Sequence, residues 1–166
     1  MKYDTKKTKT IIDDNSPSVL NLVCKGIPSA KQSFRFSVRQ SKEGRTFVQK
    51  YQSAKVKNNA YNMQWDIKDQ IPKDFKLWTG PIIVQIQYIF PITSGFTKSK
   101  LEQLRVGKRF CKTTKPDLDN LDKAVFDAMQ GLLFVNDSQI CSRYSEKIYG
   151  EVPMTKISIK HIKDLS

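Results

Sequence analysis

The stretch GPIIVQIQYIFP, residues 80–91, limits the fold more than any other part of this chain. Val84, Ile86, Tyr88 and Phe90 alternate along it, and Pro81 and Pro91 stand at its ends. Alternation over ten residues rich in Ile, Val, Tyr and Phe is the pattern of a strand with one side in a core. Proline is tolerated at the ends of such a strand and excluded from its middle. The chain must therefore build a sheet around this segment and cover one side of it.

Two helical patterns can supply the cover. Between Ser53 and Gln70, Val56, Ala60, Met63 and Ile67 recur at steps of four, three and four, and Pro72 closes the run. Tyr61 and Trp65 fall off that stripe and are expected to thicken the apolar face, with base stacking as the alternative. From about Asn120 to Gln130, Leu121, Val125 and Met129 share a face, and Gly131 is the stop signal. Further strands are expected at VLNLVCKG, at SFRFSVR (Phe34, Phe36 and Val38 on one side) and at RTFVQ, its partner across QSKEG. LLFV, ICSRYSEKIYG and MTKISIKHI read as the last three strands, and TKSKLEQL as a short helix. The expected fold is α+β (mixed α/β): a single domain over 19–166, a mixed β-sheet with two main helices packed on one face. A basic tail over 1–18, polar and without periodicity, is read as disordered.

Several function classes drop out. Apolar runs such as IIV and LLFV are too short to span a bilayer, and the first residues lack a signal peptide's apolar stretch, so the expected location is cytoplasmic with no membrane partner. Cys24, Cys111 and Cys141 form no C-x-x-C pair and read as reduced, mostly buried thiols. His161 is the one histidine and lies in an alternating strand pattern, where a structural role is expected. Zinc sites and Ser-His or Cys-His pairs are therefore hard to assemble. Carboxylates and lysines are left to carry any chemistry.

The formal net charge of +13 points to a polyanion. Lys98, Lys100, Arg105, Lys108, Arg109, Lys112 and Lys115 follow one another against a single acid, Glu102, and read as phosphate contacts. This basic run leads straight into KPDLDNLDKAVFDAMQGLLFVNDSQ, residues 115–139, which gathers five aspartates. Pro116 disfavours helix at Lys115, so the chain should enter extended, with Asp117 and Asp119 projecting together. Asp119 would cap the helix, and Lys123 would stand one turn on. If LLFV returns as a strand, the NDSQ turn brings Asp137 back to the helix start. Asp117, Asp119 and Asp137 beside Lys123 would make a hard-oxygen site suited to Mg2+ and to phosphodiester hydrolysis. The plainer reading gives Asp119 a capping role, Asp122 a helix-dipole role, Asp127 an ion pair with Lys123, and Asn136–Asp137 an ordinary turn.

The motif KPDLDNLDKAVFDAMQGLLFVNDSQI closely resembles the signature of RusA-type Holliday-junction resolvases. GIPSAKQSFRF is similar to the opening strand of that family, and GPIIVQIQYIFP to its long strand before the basic loop. The resemblance covers about Leu22 to Ile162. It implies a homodimeric endonuclease that nicks DNA four-way junctions symmetrically with Mg2+, Mn2+ being a substitute. By motif position it implies Asp117, Asp119 and Asp137 as metal ligands, Lys123 as the catalytic lysine, and Lys31 and Arg35 as DNA contacts. Asn136 stands where some relatives carry a further acid, and KQSF replaces a run richer in Gly and Pro. A catalytically silent nucleic-acid-binding protein, or a nuclease acting on flaps, forks or RNA, is the rival reading.

Overall fold

The computed structural model describes residues 17–31, 35–51 and 54–163. The tail up to residue 16 lies outside them, as do Phe34 and the side chains of Arg35, Phe36 and Val56.

The elements run β1 (Val19–Lys25), β2 (Arg35–Gln40), β3 (Thr46–Tyr51), α1 (Ala54–Gln70), β4 (Ile82–Pro91), α2 (Lys98–Arg105), α3 (Leu118–Met129), β5 (Ile140–Gly150) and β6 (Met154–His161). Four strands form a sheet in the order β1-β6-β4-β5, and β2 and β3 pair separately as a hairpin. β6 runs antiparallel to both β1 and β4, whereas β5 runs parallel to β4. This is the mixed α+β sheet that the alternation calls for.

The proline-bounded strand is the middle of the core. Ile82, Val84, Ile86, Tyr88 and Phe90 are buried, joined by Leu20, Leu22 and Cys24 of β1 and by Ile157 and Ile159 of β6. Their side of the sheet is covered by Ile67 of α1 and by Leu121, Val125, Ala128 and Met129 of α3. Each Val, Leu, Ile, Phe or Met among them, fully buried, stabilises the fold by roughly 1.5–3 kcal/mol. Tyr61 and Trp65 do not thicken the apolar face of α1; they are 62% and 68% exposed. They lie six and two residues from Ile67, about half a turn away from it, and the sheet packs against only one side of α1.

LLFV is not a strand. Gly131 adopts φ +78°, and its N–H donates to the Phe134 carbonyl at 2.8 Å, so the chain folds into a tight turn. Phe134 bridges back to Gln130 and across to Trp78. Leu133 and Phe134 are fully buried there, which explains their hydrophobicity without a strand.

Candidate functional site

Because β4 and β5 are parallel, the chain between them must cross back over the sheet, and α3 is the crossing helix. Its N-terminus therefore lies at the carboxyl ends of the parallel pair, where open α/β sheets commonly hold their ligands. Lys147, late in β5, fixes that end: its ammonium donates to the Pro116 carbonyl at 2.7 Å and to the Thr114 carbonyl at 3.0 Å. Farther along α3, Asp122 meets Arg143 at 3.3 Å.

α3 begins earlier than its sequence suggests. Asp117 is the N-cap, with extended torsions of −71° and 145°, and Asp119 lies inside the first turn. Leu118 packs against the core, which draws the helix start toward Pro116. Asp117 and Asp119 are thus not projected together from one extended segment, and Asp119 is not the cap. The Asp117 carboxylate makes no capping hydrogen bond of its own, which leaves its oxygens available. Lys123 Nζ donates to Asp119 at 3.2 Å, as the four-residue spacing requires. That hydrogen bond, with help from the amides of the first turn, holds the exposed Asp119 carboxyl below the usual carboxylate range.

Asp127 does not pair with Lys123. It meets Lys31 at 2.5 Å instead, and the Lys31 amide donates to the Asn120 carbonyl at 2.9 Å. The loop before β2 is thereby tied to α3, and Lys31 is engaged in holding it. Arg35 opens β2.

Asp137 does not join the other two aspartates. Among the described residues, no group of three or more His, Cys, Asp and Glu is placed to hold a metal ion. The reason is the turn at Gly131: without a returning LLFV strand, Asp137 stays beyond the C-terminal end of α3. That helix has 12 residues, about 18 Å. From Ile140 to Lys147, which reaches Pro116, β5 spans about 23 Å. Asp137 opens a short 3₁₀ helix, Asp137–Gln139. Gln139 locks it, accepting from the Val135 and Asn136 amides and donating to the Trp78 and Gly80 carbonyls.

The basic segment divides into engaged and open side chains. Arg105 pairs with Glu151, and Arg109 with Glu146. Lys108 donates to Gln103 at 2.7 Å, and Lys112 lies over the rings of Phe90 and Tyr149. Lys98, Lys100 and Lys115 are exposed. Their ammonium groups are open to solvent, whereas the Arg109 guanidinium is engaged with Glu146.

Sequence reading gave Asp122 a helix-dipole role and put Tyr88 on the core side of its strand, without their bond to each other, and it missed Arg143 and Lys147. Parity along β5 carried the signal for the last two: Arg143 and Lys147 fall on the same side of that strand. Of the thiols, Cys24 is buried, while Cys111 and Cys141 are exposed rather than buried. Burial, with Asp66 nearby, pushes the Cys24 thiol up to about 12. His161 stacks on Trp78 at 5.4 Å and accepts from the Gly80 amide at 3.3 Å, a structural placement.

Residues 26–160 match the family model of the endodeoxyribonuclease RusA. The uncharacterized protein YqaN of Bacillus subtilis (strain 168) is 32% identical over 85 residues, covering 51% of this chain and 60% of that protein. The matched segment is thus less than two thirds of the length of YqaN.

Proposed function

Because the chain belongs to the RusA endodeoxyribonuclease family, we propose that it is a divalent-metal-dependent DNA endonuclease that resolves four-way Holliday junctions by paired nicks, in recombination and repair. The observation that carries this reading is the N-terminus of α3. Asp117, whose carboxylate makes no capping hydrogen bond, and ionised Asp119 stand there with Lys123, next to the basic segment.

The donor set fits magnesium. Mg2+ takes hard oxygen ligands, commonly one or two carboxylates, and fills its octahedron with water and substrate phosphate. Asp117 and Asp119 would hold it, and Mn2+ suits the same donors. When bound, the ion supplies an acidified water and charge stabilisation for in-line attack at phosphorus. The chain does the rest. Lys123 places an ammonium beside the phosphate, the free amides of the α3 N-terminus favour an anion, and Lys98, Lys100 and Lys115 hold the backbone.

Asp137 enters this site through a second copy. Within one chain it is too far from Asp117, but a two-fold dimer can bring the Asp137 of one copy to the α3 N-terminus of the other. The same symmetry matches two nicks to a two-fold junction.

Cleavage of a labelled synthetic four-way junction tests the reading, with and without Mg2+, beside linear duplex and a flap. Paired Mg2+-dependent nicks on the junction, lost in Asp119→Asn, are expected. Tight junction binding without cutting in Mg2+ or Mn2+ would point to a silent binding protein. Preference for the flap would keep the chemistry and discard the junction.

A further inference from the structure

Trp65 is 68% exposed on α1, an unusual place for the largest apolar side chain. Tyr61, one turn earlier on the same side, is 62% exposed. Trp65 walls a cleft of about 310 Å3 between α1 and the turn after α3, with Gln64, Lys68, Gln130, Gly131 and Leu132 as the other walls. Lys68 Nζ lies 5.6 Å from the centre of the indole ring.

We propose that this cleft binds one unpaired nucleotide of a DNA strand. An indole face stacks any base without regard to sequence, and a neighbouring ammonium meets the phosphate that follows. Gln64 and Gln130 each offer both a donor and an acceptor to a base edge. The volume is at the small end of ligand pockets, suited to one nucleotide and too small for a longer piece of strand. A second cleft between the helices, lined by Lys31, Asn59, Met63 and Ala128 among others, also has Gln64 in its wall, so the two adjoin. Together they offer a strand a path along α1.

The site lies at the end of α3 opposite Asp117 and Asp119, about 18 Å away, or about five base steps. It therefore selects for DNA with melted or displaced bases at a fixed distance from the cut. A branch point supplies such bases and a continuous duplex does not. This rests on the DNA-endonuclease reading and adds a substrate contact to it.

Intrinsic fluorescence gives a direct test, because the chain has two tryptophans and the other, Trp78, is 2% exposed. Titration of the wild-type protein with a short oligothymidine, in EDTA, should quench Trp65 emission and protect it from acrylamide. Trp65→Ala should bind that oligonucleotide about tenfold more weakly and bind linear duplex unchanged. The remaining Trp78 emission reports that this variant is folded. If the oligonucleotide leaves Trp65 unprotected while the junction is still cut in Mg2+, the cleft proposal fails and the nuclease reading stands. If no DNA of either kind binds, both fail. Shielding of Trp65 by raised protein concentration alone would assign the surface to a second copy and overturn the proposal.

Discussion

The Tyr88 hydroxyl donates a hydrogen bond of 2.8 Å to Asp122, joining the central strand to the crossing helix inside the core. Asp122 is 2% exposed, and Arg143 reaches its other oxygen from β5. A buried carboxylate is tolerable only when its oxygens are satisfied, and here α3, β4 and β5 share one network. Burial and then the charge of Asp122 push the Tyr88 phenol far above its usual range, so it remains a donor. Tyr88→Phe removes that donor and nothing else. We expect a loss of about 1–3 kcal/mol in urea unfolding; an unchanged midpoint would mean that Arg143 alone satisfies the carboxylate.

Lys123→Gln should release the Asp119 carboxyl back toward its ordinary range, since the Lys123 hydrogen bond is the first cause of its depression. A carboxyl held low contributes its interaction above the ordinary carboxylate pKa and loses it as pH falls through the depressed value. Carbon-13 titration of Asp119 in the two proteins reads this directly. An identical curve in the variant would transfer the effect to the helix N-terminus.

Mixing two inactive variants tests the shared site. If Asp137 serves the partner's metal, a heterodimer of Asp119→Asn with Asp137→Asn contains one intact site and one doubly altered site. An equal mixture should recover about a quarter of wild-type nicking, half of the dimers being mixed and each carrying one working site. Zero recovery after subunit exchange would confine each site to a single chain.

Phosphate contacts reveal themselves through salt. Lys115→Ala should lower the slope of log affinity against log salt by about 0.9, one contact's worth. An unchanged slope, measured on the same junction, would remove Lys115 from the groove.

Native protein should expose two thiols to Ellman's reagent and withhold the third. Cys24 is buried with its pKa pushed up to about 12, so thiolate is scarce at neutral pH. Cys24→Ser should leave the fast-reacting count unchanged, and a drop to one fast thiol would reverse the assignment.

The strands and helices were legible where one side of an element meets the core. GPIIVQIQYIFP and the stripe Leu121, Val125 and Met129 announce themselves because burial repeats with the period of the backbone. Lys123 beside Asp119 was equally readable, as a local contact fixed by the helix pitch. LLFV was not, because four apolar residues buried in a turn look the same as four buried in a strand. That single misreading moved Asp137 from one end of α3 to the other. Long-range pairs such as Lys31 with Asp127, or Lys147 with Pro116, depend on how elements are docked, which periodicity does not record.

The crossing helix is anchored by its own apolar stripe and by β5, and at its start Lys147 grips the backbone just before Asp117. Residues 92–109, which carry five of the seven cations between Lys98 and Lys115, run from β4 to the point where Phe110 and Lys112 pair with β5, as a bridge between two fixed piers. Such a segment can lengthen, shorten or change charge while the acids stay where they are. On the nuclease reading, contact with the substrate and the cutting chemistry then rest on separable parts of the chain.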